Sequence, residues 1–181
     1  SFLRSLGFNR VSMGVQDFDP KVQEAVNRIQ SFEMVKELTE QCRQLKFNSI
    51  NFDLIYGLPY QTVESFKNTA AKVLTLKPDR IALYSFAYVP WLKKHQTKIA
   101  PETLPTSDVK VDIFLYARQA LLNAGYDAIA MDHFALKDDE LARAFRDGKL
   151  YRNFMGYTVK PADDYLGFGV SAIGFLENTY I

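Results

Sequence analysis

The sequence contains very little of the chemistry on which several protein classes depend. It has one cysteine, Cys42, and two histidines among 181 residues. One cysteine cannot form an internal disulfide, and it cannot by itself hold a metal cluster. We therefore expect a reducing, cytoplasmic compartment and no metal site built by this chain alone. Every apolar stretch is shorter than the roughly 20 residues of a membrane-spanning helix, so no membrane segment is expected.

The charge balance excludes another class. Lysine and arginine number 22 against 21 acidic residues, which gives a net charge of +1, and the basic residues form no stripe. A nucleic-acid partner is therefore not expected. The hydrophobic share of 48% and the charged share of 24% are typical of an ordinary soluble domain. The aromatic share of 14% suits either a thick core or a large apolar ligand.

One pattern recurs along the chain: a helix end, a short turn and a β-rich run. The copies begin at Leu6, Leu45, Leu76 and Ala124. Their spacing of roughly 30–50 residues is the length of a strand plus a crossover helix. Four such units predict an α/β fold with parallel βα units, which is part of an incomplete TIM-like barrel.

The units do not extend evenly over the chain. We expect one domain, residues 1–181, with strand–helix units over 1–135 and an irregular extension over 136–181, where glycines suggest turns. Residues 1–7 (SFLRSLG) resemble the last turns of a helix that stops at Gly7. Because chains seldom begin within a helix, we expect this one to be an internal fragment.

Capping residues mark where the helices begin. A Ser, Thr or Asp just before an apolar run with a 3.6-residue period is typical of an N-cap. Such residues occur at Asp19 (followed by Pro20), at Ser31, at Thr62 and at Thr106 or Ser107. A shorter helix is predicted from Asp138 to Asp147.

Polar side chains cluster at the ends of the predicted strands, where parallel βα-barrels place their chemistry. The period of two puts Asn51, Asp53 and Ile55 on one strand face. A carboxylate in an otherwise apolar strand needs a partner. For Asp53 and for Gln16 that partner is either a neighbouring group or a ligand. Arg28 alone is better explained as a cation near a helix end.

Two other candidates are weak. Asp132 and His133 are adjacent and could bind a metal, but His95 lies far away in the sequence. Metal centres of hydrolases gather several such ligands, so this interpretation is disfavoured. Cys42 lies on the apolar stripe of a helix and is predicted to be a core residue.

Several strings in fixed order resemble a known family. They are 7–18 (GFNRVSMGVQDF), 26–28 (VNR) and 52–59 (FDLIYGLP), which are similar to the middle of radical S-adenosylmethionine enzymes of haem biosynthesis. Three more strings, 131–135 (MDHFA), 152–158 (RNFMGYT) and 166–173 (LGFGVSAI), narrow the resemblance to the oxygen-independent coproporphyrinogen III oxidase family.

The nearest competitor is the haem-trafficking branch of the same superfamily. That branch is expected to have a serine where this chain has Asp17, a Gly-Pro-Gly-Ala string at residues 169–172, and no Met-Asp-His-Phe string. Asp17, Val170 and residues 131–134 therefore favour the oxidase. A non-catalytic barrel module that binds a tetrapyrrole or a partner remains a second alternative.

The resemblance implies a reaction. In the family, a [4Fe–4S] cluster and S-adenosylmethionine generate a 5′-deoxyadenosyl radical, and two propionates of coproporphyrinogen III become vinyl groups of protoporphyrinogen IX. The family binds two S-adenosylmethionine molecules and takes electrons from a reductant such as flavodoxin or ferredoxin. By motif, Gln16, Arg28 and Asp53 correspond to contacts with the second of these molecules, and Ala87 and Ile173 to contacts with the first.

One departure from the family matters. The cluster needs a Cys-x3-Cys-x2-Cys run, which this sequence does not contain. The resemblance implies that the cluster-binding strands and a helical C-terminal domain lie outside these residues. We therefore expect the chain alone to hold no cluster, to be inactive and, because its barrel is incomplete, to self-associate.

Overall fold

The structure is a computed structural model that describes residues 2–153 and 156–181. Helices and strands alternate through most of the chain, as the recurring pattern predicts. Two short 3₁₀ helices, Lys94–Lys98 and Pro101–Thr103, interrupt one long loop. The other elements are α1 (Phe2–Ser5), β1 (Arg10–Gln16), α2 (Pro20–Ala25), α3 (Phe32–Gln44), β2 (Ser49–Tyr56), α4 (Val63–Leu76), β3 (Arg80–Ser85), α5 (Ser107–Asn123), β4 (Tyr126–Ile129), β5 (His133–Leu136), α6 (Glu140–Arg146), β6 (Tyr151–Asn153), β7 (Gly156–Thr158), β8 (Phe175–Leu176) and β9 (Thr179–Tyr180).

The first three strands form the parallel sheet that the sequence predicts. They lie in the order β1-β2-β3 within a five-stranded sheet, with Met13 opposite Phe52 and Phe52 opposite Ile81. The pairing of β1 shifts between Gly14 and Gln16, so this strand carries a bulge near its carboxyl end. A bulge of this kind redirects the side chains that follow it. The α/β fold class is confirmed.

The fourth predicted strand, β4, runs in the same direction as the first three but does not pair with β3. β4 forms a hairpin with β5, and β5 lies between β3 and β4, antiparallel to both. Only residues 130–132 connect the two strands, and Ala130 has a φ of 52°. A connection this short can only return the chain antiparallel. The sheet is therefore mixed, with the order β1-β2-β3-β5-β4.

The predicted helix starts agree with the structure. Side chains of Asp19, Ser31, Thr62 and Thr106 each accept a hydrogen bond from the first turn of the following helix. Thr106, not Ser107, is the N-cap of α5. These bonds satisfy backbone donors that a helix start leaves unpaired.

The main core lies on one face of the sheet. In β2 the buried residues Ile50, Phe52 and Leu54 alternate with the half-buried Asn51, Asp53 and Ile55, as the period of two predicts. The buried side chains pack with apolar residues of α3, α4 and α5, including Cys42. The opposite face is therefore free to carry polar groups.

The C-terminal part is less regular. A smaller apolar cluster joins β4 and β5 to α6 through Ile129, Ala135, Leu141 and Ala142. Two short hairpins follow, β6–β7 and β8–β9. Phe154 and Met155, which belong to the family string 152–158, lie outside the described residues. Ser1 lies outside them as well. Within the described part of the chain, no helix is both long enough and apolar enough to cross a membrane.

Candidate functional site at the ends of strands one and two

Gly14 is the centre of the site. A Cβ built on this glycine would lie 2.6 Å from Nε2 of Gln16 and 2.8 Å from Nη2 of Arg28. Arg28 also donates two hydrogen bonds to the Gly14 carbonyl, at 2.8 Å from Nη2 and 3.2 Å from Nε. The bare Cα of the glycine thus leaves the space in which two of the predicted site side chains converge.

Gln16 has two unusual properties. Its φ is 64°, in the left-handed region that residues with a Cβ seldom adopt. Its side-chain Oε1 is buried and has no hydrogen-bond partner among the described residues. Backbone strain and an unsatisfied buried acceptor both cost free energy, and both occur at ligand-binding sites.

Asp53 lies on β2, the strand that pairs with β1. It is opposite Gly14 in the β1–β2 register, on the face that points away from the main core. Its Oδ1 accepts from Asn51 Nδ2 at 2.7 Å, and its Oδ2 accepts from Ser12 Oγ at 3.2 Å. Both neighbouring groups therefore orient the carboxylate, which keeps further lone pairs for a ligand donor. The structure thus places Gln16 and Arg28 together at Gly14, and Asp53 opposite that glycine on the neighbouring strand. Their roles as ligand contacts stay predictions from the motif.

A cavity of about 530 Å³ opens over the same face. Ser12, Asn51 and Asp53 form its floor, and Tyr84 and His133 form one wall. Burial, and then the charges of Asp53 and Asp132, raise the pKa of Tyr84, so its hydroxyl keeps its proton. The sequence did not identify Ser12 or Tyr84. The alternation of β3 was the only signal that could have placed Tyr84 on this face.

His133 is held rigidly in that wall. Its Nδ1 lies 2.7 Å from Asp132 Oδ1, and its ring makes edge contacts with Tyr84 and Tyr157 at centroid distances of 5.9 and 5.1 Å. Asp132 and His133 are therefore a hydrogen-bonded pair. No third metal ligand joins them in the described part of the chain.

An ionic cluster lies at the opposite end of the cavity, where the strands begin. Arg80 bonds Asp139 at 2.8 Å and Glu140 at 3.1 Å, and Arg10 also pairs with Glu140. The side chains of Arg80 and Asp139 are only 12% and 6% exposed. This cluster connects α6 to the sheet at the end of the cavity where β1 and β3 begin.

Of the five predicted site residues, Asp53 lines this cavity, whereas Gln16 and Arg28 lie outside its lining, as do the other two. Ala87 follows β3, and its carbonyl accepts a hydrogen bond from Gln96 Nε2 at 3.0 Å. Ile173 lies in the C-terminal segment, and its backbone oxygen is 2.8 Å from the position of a Cβ on Gly167. Neither residue lines the cavity that contains Asp53. Their roles stay predictions from the motif.

The site residues can be compared with the two groups that the resemblance implies. S-adenosylmethionine fits: the cradle at Gly14 offers a guanidinium and an unsatisfied amide oxygen, and Asp53 on the paired strand offers a carboxylate, for its charged and hydroxyl groups. An iron–sulfur cluster does not fit the described residues. Cys42 is buried, burial raises the pKa of its thiol, and the described part of the chain has no group of three or more metal-binding side chains.

Comparison with known proteins gives the class first. Residues 1–73 match the family described as the Radical SAM superfamily. The solved structure of coproporphyrinogen III oxidase from Escherichia coli, described as a radical SAM enzyme, superposes with a TM-score of 0.91 at 48% identity. The alignment covers 98% of this chain and 41% of the Escherichia coli chain. The chain therefore has the radical SAM fold, and the resemblance drawn from the motifs is confirmed.

Curated relatives give the particular protein that the chain resembles. It is 54% identical over 177 residues to the oxygen-independent coproporphyrinogen III oxidase of Thermostichus vulcanus. It is 51% identical to the oxidase of the same name from Synechocystis. Both alignments cover 98% of this chain but only 54% and 38% of the relatives. The chain thus spans between about two fifths and a half of the length of these oxidases.

Proposed function

We propose that the full-length protein, meaning the product of the complete reading frame that contains this chain, is an oxygen-independent coproporphyrinogen III oxidase. It converts two propionate side chains of coproporphyrinogen III to vinyl groups by oxidative decarboxylation. The single observation that supports this most strongly is the Gly14 cradle, where Gln16 and Arg28 converge on the glycine that pairs with Asp53, whose side chain lines a cavity. The near-complete coverage by oxidases of that name adds to it.

Each residue of the cradle has a role that suits its chemistry. The guanidinium of Arg28 is proposed to hold the carboxylate of S-adenosylmethionine through paired donors. The amide of Gln16 accepts from the ammonium group through its free Oε1. Asp53 accepts hydrogen bonds from ribose hydroxyls. Ala87 and Ile173 contribute backbone bonds or packing to the first of two such molecules.

When bound, S-adenosylmethionine supplies the 5′-deoxyadenosyl radical that removes hydrogen from a propionate. The proposed contribution of the chain described here is binding and orientation; its described residues include no group of three or more metal-binding side chains. We propose that residues beyond this chain hold the [4Fe–4S] cluster and that a flavodoxin or ferredoxin provides electrons. We place the protein in the cytoplasm. We expect the chain alone to cleave no S-adenosylmethionine.

Substitution of Asp53 tests the function. In the full-length protein, kept anaerobic with a reductant, Asp53→Ala should lower CO₂ release from coproporphyrinogen III by at least ~100-fold because the ligand is no longer oriented. The iron–sulfur absorbance should be unchanged. Asp53→Asn keeps the shape and removes the charge, so an equal loss would show that the charge matters. Glu37→Gln, an exposed acid-to-amide change on α3, is the control.

The alternatives predict other results. Wild-type turnover by Asp53→Ala would remove Asp53 from the site. Stoichiometric haem binding by the wild-type protein without release of CO₂ would assign it to the haem-trafficking branch. Porphyrin binding without any cleavage of S-adenosylmethionine would indicate a non-catalytic tetrapyrrole-binding module.

A further inference from the structure

Asp17, which follows Gln16, is a buried side chain whose carboxylate accepts three hydrogen bonds. It is 1% exposed. Its Oδ1 accepts from the Asp19 amide at 2.7 Å and from Thr69 Oγ1 at 2.6 Å, and its Oδ2 accepts from Gln61 Nε2 at 2.5 Å. The donors belong to three separate parts of the chain: the loop after β1, the helix α4 and the turn after β2. A buried carboxylate with such partners joins those parts rigidly.

Gln61 links Asp17 to the backbone at the end of β2. Its Oε1 accepts from the backbone amides of Gly57 at 2.6 Å and Leu58 at 3.1 Å, and its Nε2 also donates to the Ile55 carbonyl at 2.9 Å. The exits of β1 and β2, which hold the two sides of the candidate site, are therefore joined through one side-chain contact.

A second branch leads from Asp17 toward Arg28. The Asp17 carbonyl accepts from Gln23 Nε2 at 2.8 Å, and the same nitrogen donates to the Gln30 carbonyl at 2.7 Å. The Gln30 side chain in turn accepts from Arg28 Nε at 3.0 Å. The loop that presents Arg28 is thus attached to the same residue that follows Gln16.

The Gln16 side chain lacks such support, and the backbone turn at Gln16 is closed by the Asp17 amide, which donates to the Val15 carbonyl at 2.8 Å. The φ of 64° at Gln16 is maintained although the Gln16 Oε1 bonds to nothing among the described residues. A strained backbone persists only where its surroundings over-determine it. The buried bonds of the next residue are the contacts that can do so.

We infer that Asp17 is a positioning residue: it holds Gln16 in its left-handed conformation so that the Gln16 amide stays above Gly14, beside Arg28. That the positioned amide binds S-adenosylmethionine rests on the proposed function, whereas the positioning does not. Asp17 also distinguishes this chain from the serine expected in the haem-trafficking branch, a difference to which the proposed function gives no role.

A double-mutant cycle separates positioning from plain structural support. Asp17→Asn keeps the acceptor for Asp19 and Thr69 but turns an amide toward the Gln61 amide, so that contact is lost. In the full-length protein, calorimetric titration with S-adenosylmethionine should show about a tenfold loss of affinity, the size expected for one hydrogen bond to a charged group. In a Gln16→Ala background the same substitution should change affinity by less than about twofold, because the residue through which it acts is absent.

Several controls keep the test decisive. Glu37→Gln should change nothing in either background. If Asp17→Asn does not fold, Thr69→Val removes one of the donors and replaces it in the cycle. An equal affinity loss in both backgrounds, or no loss in either, would overturn the inference.

Hydrogen exchange decides the positioning without any ligand. In Asp17→Asn the Gly57 amide should exchange about tenfold faster, because its acceptor is no longer held, and the side-chain amide signals of Gln16 should shift in NMR spectra. Unchanged exchange and unchanged Gln16 signals would overturn the positioning. If the wild-type protein binds no S-adenosylmethionine, the proposed function fails while these two measurements still decide the inference.

Discussion

A single methyl group at Gly14 should damage the site without damaging the fold. The φ of Gly14 lies outside the left-handed region, so alanine is compatible with its backbone. The atoms that the new Cβ would meet are Nε2 of Gln16 and Nη2 of Arg28, at 2.6 and 2.8 Å. Gly14→Ala therefore acts on the two predicted ligand-binding side chains and on little else.

The geometry sets the size of the effect. Ordinary van der Waals contact begins near 3.4 Å, so the two side chains must move by about 0.6 to 0.8 Å. Displacements approaching 1 Å cost catalysis or binding as much as ~10²-fold, so we expect a 10- to 100-fold loss of affinity for S-adenosylmethionine. Both side chains end in flexible groups and Arg28 is exposed, so the free energy of unfolding should change by less than about 1 kcal/mol.

The assay pairs calorimetric titration of the full-length protein with urea unfolding. Gly125→Ala is the matched control, because Gly125 has open space around it but a φ of 92°. That substitution should cost about 1 kcal/mol of stability and leave affinity unchanged. Wild-type affinity in Gly14→Ala would refute the argument, since Gln16 and Arg28 could then move without consequence.

The remaining predictions concern stability and association. Burial raises the pKa of Asp17, so the free energy of unfolding should fall as pH rises from about 3.8 through the raised pKa, and Asp17→Asn should abolish that slope in urea titrations at several pH values. Arg80→Ala leaves Asp139 buried without its cation, which should cost about 3 kcal/mol and lower the midpoint of thermal unfolding by about 6–12 °C in calorimetry; a shift of a degree or two would contradict this. Among the described residues, β1 and β4 each pair on one side only, so sedimentation of the isolated chain should show self-association, and a monomer at high concentration would disprove it.

The local features of the fold could be predicted from the sequence because their causes are local. Asp19, Ser31 and Thr62 cap helices through bonds to residues two or three positions away. The face of β2 that carries Asp53 follows from strict alternation. Such signals do not depend on what the rest of the chain does.

The insertion of β5 could not be predicted in this way. The strand has four residues, too short for a period, and its neighbour β3 begins about fifty positions earlier. The site shows the same division. Asp53 and Gln16 were candidates from their strand positions, whereas Arg28 became a candidate only through the family resemblance. Its convergence with Gln16 on Gly14 depends on a bulge and a left-handed residue.

The place of β5 in the sheet has a consequence for the order of folding. The β4–β5 hairpin joins neighbouring segments and can form in microseconds, whereas the β3–β5 pairing must close a loop of about fifty residues and is slower. His133 is the first residue of β5 and meets Tyr84 only after that pairing. The wall of the cavity is therefore complete only when this long-range pairing has formed, so any event that opens the β3–β5 pairing also opens the space proposed for the ligand.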